Sequence, residues 1–288
     1  CLKLKDLRDT YSVTLPERAA AYFNVLTVSR SPLDMLEICR NVARRALEET
    51  LADIRKAGRR FQELSGRSDT PVPDWQSSVY TVRELVDRLA GEKSMTEAGR
   101  MLNAFAEKLP VDMDEREKGL AVLDHLVSLV NLKGPAVVVG FLPPYYPQRI
   151  NLRATEKECR LRSIMEGVLS ELKSSVGQVS LVECFSGIMD LSYMGFQGRP
   201  EELTTLADNM PGWGTVFSLS MKDLMSLDVP IASVGPSGKD AHKDTERLEL
   251  DYSFTVAPRM LERVIRELSV TAGENAATGS AEGPSSRP

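Results

Sequence analysis

Two segments of this sequence gather residue types capable of chemistry. The denser is V-G-P-S-G-K-D-A-H-K-D-T-E-R (residues 234–247), in which Lys239, Asp240, His242, Lys243, Asp244, Glu246 and Arg247 fall within nine residues. Gly235 and Gly238 punctuate it, and the apolar run Pro230–Gly235 leads into it. Titratable side chains on a loop held by a buried strand are what a catalytic or metal site needs. A solvated loop with a high charge count is the alternative, and composition does not choose between the two. The second segment is F-S-G-I-M-D-L-S-Y (185–193), where Gly187 permits a tight turn directly after an apolar run and Asp190 follows. In open α/β sheets ligands bind beyond the carboxyl ends of strands, and both segments leave such ends.

Counting limits the chemistry. A catalytic zinc takes about three protein ligands and a two-metal hydrolase more, yet the sequence holds 2 histidines, His125 and His242. His242 can be one ligand, but the carboxylates around it cannot complete a two-metal site alone. His125 lies beside the apolar stripe of a helix and reads as a surface or packing residue. There is no G-x-x-x-x-G-K-[ST] phosphate loop, no G-x-S-x-G elbow and no H-E-x-x-H. A nucleophile built from Cys184 and His242 is disfavoured, because Cys184 lies in an apolar run where free cysteine behaves as a small hydrophobe.

The elements that must position these groups are read from periodicity. Residues 19–28, A-A-A-Y-F-N-V-L-T-V, predict a buried strand after a polar lead-in. Ser31-Pro32 starts a long helix with the stripe Leu36, Cys39, Ala43, Leu47, Leu51, Ile54, Gly58 and Phe61, about 48 Å long if it runs to Leu64. Its arginines and Lys56 interleave with Glu48, Glu49, Asp53 and Glu63, the pattern of a solvated face. Helices follow at roughly 81–90, 95–108 and 114–131. From Gly134 the character changes: P-A-V-V-V-G-F-L predicts a buried strand, and Thr155-x-x-Glu158 a capping box that opens a helix. Strands are expected at 179–185 and 230–235, with a looser insert at 199–228 between them. A last helix is expected from near Pro258, and a disordered tail over 273–288.

Composition excludes several classes. With 36 Lys+Arg against 41 Asp+Glu, the net charge of -5 argues against binding nucleic acid or acidic membrane through the overall field. No stretch approaches the length of a membrane-spanning helix. Cys1, Cys39, Cys159 and Cys184 are scattered and no secretory signal precedes them, so reduced thiols in a cytoplasmic protein are expected.

Taken together, F-S-G-I-M-D-L-S-Y and V-G-P-S-G-K-D-A-H-K-D-T-E-R resemble the C-terminal end of the zinc-dependent aminopeptidase, carboxypeptidase and aminoacylase superfamily. P-P-Y-Y-P, D-L-S-Y, N-M-P-G-W and Y-S-F-T-V-A-P narrow the resemblance to the branch called arginine utilization protein RocB, over most of the chain. The resemblance implies a two-metal hydrolase of amide bonds in peptides or N-acylated amino acids, active in arginine or amino-acid catabolism. Two zinc ions are implied, with cobalt or manganese as alternatives, and a small peptide or acyl-amino acid as substrate. His242 matches the family's last metal ligand. Glu246 and Asp190 match residues that support the site without binding metal.

The implied fold is α/β: the C-terminal half of a mixed-sheet di-metal hydrolase domain plus a helix-rich α+β lid. Residues 1–10 are a lead-in, 11–150 the lid-like domain with a possible homodimer contact, 151–272 the catalytic part and 273–288 the tail. The family's other ligands and its general base lie upstream of the lid, and no H-x-D or Glu-Glu pair precedes the lid-like segment. The expectation is therefore a C-terminal fragment, inactive alone. A non-catalytic dimerisation or small-molecule-binding module is the rival.

Overall fold

The computed structural model describes residues 2–7, 16–27, 29–172, 179–185 and 187–278. In chain order the elements are strands β1 (Lys3–Asp6) and β2 (Ala19–Tyr22), helix α1 (Pro32–Ser65), strand β3 (Ser78–Thr81) and helices α2 (Val82–Glu92), α3 (Met95–Ala106) and α4 (Glu115–Leu129). Strand β4 (Ala136–Val139) and helices α5 (Glu156–Glu171), α6 (Pro200–Asp208) and α7 (Met221–Ser226) follow. The two-residue strands β5 (Gly238–Lys239) and β6 (Arg247–Leu248) and helix α8 (Ala257–Thr278) end the described chain. Two compact units result, one made of the chain up to Gln148 with Gln197–Ser226, the other of Arg149–Phe196 with the chain from Leu227.

The first unit rests on the helix that Ser31-Pro32 announces. The Ser31 hydroxyl accepts from the Asp34 N–H, the Asp34 carboxylate accepts from the Ser31 N–H, and Gly66 closes the helix at φ 67°. Leu36 and Leu51 are buried, whereas Cys39, Ile54 and Phe61 of the expected stripe are exposed. The buried face is narrower because α1 packs mainly on β3, β4 and α6. Strands β3 and β4 pair in parallel, Ser78 opposite Ala136 and Thr81 opposite Val139. The intervening helices supply the crossover that a parallel pair requires. They also supply the core of Val82, Leu85, Leu89, Ala98, Leu126 and Val130. Beyond β4 the chain grazes its neighbours. A Cβ on Gly140 would lie 2.5 Å from Val82 Cγ2 and 2.7 Å from the Asn209 carbonyl.

The strand expected over 19–28 is corrected. Only Ala19–Tyr22 is a strand, and it pairs antiparallel with β1, inside what reads as a lead-in. Phe23, Val25 and Leu26 are more than half exposed, since a two-stranded ribbon cannot cover them; Val28 lies outside the described residues. The ribbon is tied to α4 by Lys3, Lys5 and Tyr22, all bonded to the Glu117 carboxylate.

In the second unit α5 and α8 pack through Leu161, Met165, Val168, Met260 and Val264. The strands expected at 179–185 and 230–235 do not form: both segments are irregular, with Val182 and Phe185 69% and 59% exposed. A strand needs a ladder partner, and these apolar runs have none among the described residues. Each of the three sheets has two strands, so the half-sheet of a hydrolase domain is not among the described residues. Helices and short strands together keep the chain in the broad α/β class. Helix α8 reaches Thr278, into the stretch expected to be disordered, while residues 279–288 lie outside the described residues. No described helix is long and apolar enough to cross a membrane.

Candidate functional site

The dense segment folds as a short hairpin. Gly238 lies against the Arg247 carbonyl so closely that an added Cβ would be 2.3 Å from it, which reserves the position for glycine. Between β5 and β6, Asp240 and His242 adopt φ of 59° and 64°, the left-handed region that reverses the chain. Two turns follow: the Lys243 N–H donates to the Asp240 carbonyl, and the Glu246 N–H to that of Lys243, each at 3.0 Å. The Asp240 carboxylate accepts from Arg247 at 2.9 Å and faces Lys243 at 3.6 Å.

Glu246 holds His242, but through the backbone, since its carboxylate accepts from the His242 N–H at 3.1 Å. His242, Asp244 and Glu246 are all exposed. The spacing of His242 and Asp244, one residue apart, is a metal-ligand pattern that the sequence reading passed over; no ion pair joins them here. Asp190 is also exposed and opens a 3-10 turn, Asp190–Met194. No hydrogen bond or ion pair links Asp190 to His242 or Glu246 among the described residues. Likewise no three His, Cys, Asp or Glu side chains among those residues are grouped so as to hold a metal ion. The zinc pair implied by the resemblance therefore does not fit these residues by themselves, and the imidazole they offer is solvent-facing.

The other singled-out residues are placed as follows. His125 is half-buried and stacks on Phe105, ring centroids 4.1 Å apart and planes within 9° of parallel. Cys184 is exposed, because the run expected as a strand is irregular. Glu183, beside it, pairs with both Arg153 and Arg162.

What the sequence reading missed is a buried bracket at the start of the second unit. The Arg149 side chain, 2% exposed, donates to the Ile150 carbonyl at 2.7 Å, the Val229 carbonyl at 2.9 Å and Glu158 at 3.0 Å. Glu158 was expected to complete a capping box. Thr155 does cap its N–H, and the Glu158 carboxylate also takes up the Ala154 N–H and Arg149. Burial pushes the Glu158 carboxyl upward, and the Ala154 amide and Arg149 guanidinium together outweigh it, so the net direction is below the usual range. Asn151 adds a second clamp, accepting from the Ile231 N–H and donating to the Ile231 carbonyl. Gly195 fits against the bracket at φ 153°, where a Cβ would lie 2.9 Å from the Leu227 carbonyl. A cue existed in Glu158 itself, an acidic residue on the apolar side of its helix.

Comparison with known proteins places these features in a longer context. The chain is 32% identical over 269 residues to the uncharacterized protein YqjN of Bacillus subtilis, covering 93% of this chain and 47% of that protein. It is 23% identical over 266 residues to protein RocB of the same organism, covering 91% of this chain and 46% of RocB. The chain thus spans about half the length of the curated relatives it matches. No family model matches it, and no solved structure does. Both likenesses, over more than nine tenths of the chain, support a relationship to RocB-like proteins.

Proposed function

We propose that this chain is part of a RocB-like hydrolase of amide bonds in small peptides or N-acylated amino acids, working in arginine or amino-acid catabolism in the cytoplasm. The observation that carries the reading is the likeness to RocB along 91% of the chain. In this reading zinc, or cobalt or manganese, is held mainly by polypeptide of the kind that the relatives have and this chain does not match. His242 contributes one ligand, Glu246 fixes its backbone, and Asp190 shapes the site wall.

The test is made on a protein of the relatives' full length that carries this chain. The expected result is bound zinc and release of free amino acid from N-acetylated amino acids, both lost in His242→Ala. Metal and activity unchanged in the variant would remove His242 from the site. The exposed, ion-paired hairpin favours the second reading, a non-catalytic dimerisation or small-molecule-binding module. No metal in the full-length protein would put that reading first.

A further inference from the structure

We propose that the last turns of α1 form an arm that docks on anionic lipid bilayers. Lys56, Arg59 and Arg60 meet the headgroup phosphates, and Phe61 and Leu64 enter the apolar layer beneath them. The proposal stands whether or not the reaction above is right.

The arm begins where the core ends. Leu51 is the last buried residue of α1, and no residue is buried again before Thr81. Beyond Leu51 the helix continues from Ala52 to Ser65, about 21 Å at 1.5 Å per residue. Its own return segment braces it: Gly58 lies against Val72, Gln62 donates to the Thr70 carbonyl and Arg55 to that of Trp75.

Two faces adjoin on this arm. Lys56, Arg59, Arg60 and Glu63 follow i, i+3, i+4, i+7, and Ala57, Phe61 and Leu64 follow i, i+4, i+7 beside them. All are exposed, Phe61 at 52% and Leu64 at 78%. The interleaved acids predict a face laced with salt bridges. Glu63, however, pairs with neither arginine, and Lys56, Arg59 and Arg60 have no ion pair with another described residue. With Arg55 these cations line a groove of about 700 Å³, room for phosphate groups between the side chains.

Charge selects the partner. Residues 55–67 hold the cations Arg55, Lys56, Arg59, Arg60 and Arg67 against the single acid Glu63, in a chain of net charge -5. Screening ends the reach of exposed charges within about 8 Å at physiological ionic strength, so the acidic remainder does not govern a tip about 21 Å past the core. Nucleic acid would also take the cations, but it offers Leu64 no apolar phase. An anionic bilayer accepts both faces at once.

The 288-residue chain is mixed with phosphatidylserine–phosphatidylcholine vesicles or with phosphatidylcholine vesicles, and bound protein is recovered by flotation. It floats with the first at low salt, is released at high salt, and does not float with the second. A cation at an anionic leaflet is worth about fivefold in binding, so changing Lys56→Gln, Arg59→Gln and Arg60→Gln together weakens flotation about a hundredfold. Leu64→Ser also weakens it. Arg44→Gln with Arg45→Gln, on the same helix before Leu51, leaves it unchanged. Far-UV circular dichroism is the same for all these variants, since every altered side chain is exposed. Absence of flotation, equal binding to both vesicle types, or full binding by the triple variant would overturn the proposal. An equal loss in the Arg44 and Arg45 variant would do the same. So would binding that survives Leu64→Ser and is displaced by single-stranded RNA, the mark of a nucleic-acid surface.

Discussion

At the residue scale, the most consequential group is Arg149, which carries a buried charge and three carbonyl or carboxylate partners. Removing one member of a buried ion pair leaves the other desolvated and uncompensated, at a cost of about 3–5 kcal/mol. Arg149→Met should therefore lower the stability of the second unit by about that much, measured by urea denaturation at neutral pH. Glu158→Leu added to Arg149→Met should recover a large part of the loss, because the stranded carboxylate is then gone. Additive losses in the double variant would show that Arg149 acts through the Val229 and Ile150 carbonyls alone. This bracket was not legible in the sequence. Arg149 and Glu158 are nine residues apart and follow no helical or strand period, and Val229 joins them only through the fold. His242 was legible as a candidate because its neighbours are dense in sequence. Its actual hold, a Glu246 carboxylate on its own N–H, is a matter of turn geometry.

At the scale of elements, the long helices and strand β4 were legible, whereas the other strands and helices α6 and α7, inside what reads as a loose insert, were not. Ser31-Pro32, Thr81 with Glu84, and Ser94 mark helix starts by local side-chain capping, which needs no distant partner. A strand exists only by its neighbour. K-L-K-D became β1 because Ala19–Tyr22 lies opposite, and V-S-L-V-E-C-F stayed irregular with no ladder partner among the described residues. The β1–β2 ribbon depends in turn on Glu117. Hydrogen bonds from Lys3 and then Lys5 hold its carboxyl at about 2, against the upward push of burial. A carboxyl depressed in the folded state stabilises above its unfolded pKa, and that stabilisation is lost as pH falls through the folded value. The ribbon should therefore stay docked at pH 5 and detach as pH falls from about 4.5 to about 2. Carboxyl carbon NMR of Glu117 should give a midpoint near 2, and Glu117→Gln should loosen the ribbon at all pH values. A midpoint at the ordinary glutamate value would mean that the lysines do not hold it in solution.

At the scale of the molecule, each unit has its own hydrophobic cluster, one around Leu85 and Leu89, the other around Met165 and Val264. Such clusters set the unfolding free energy of whatever packs on them, and a buried Leu→Ala or Met→Ala change costs about 2–5 kcal/mol. Fluorescence can tell the units apart, because the 2 tryptophans, Trp75 and Trp213, both belong to the first. Leu85→Ala should move the urea midpoint seen by tryptophan emission. Met165→Ala should move a separate portion of the far-UV circular dichroism loss, carried by α5 and α8, and leave the emission midpoint in place. If both variants shift both signals equally, the chain unfolds as one cooperative body and the two clusters are coupled.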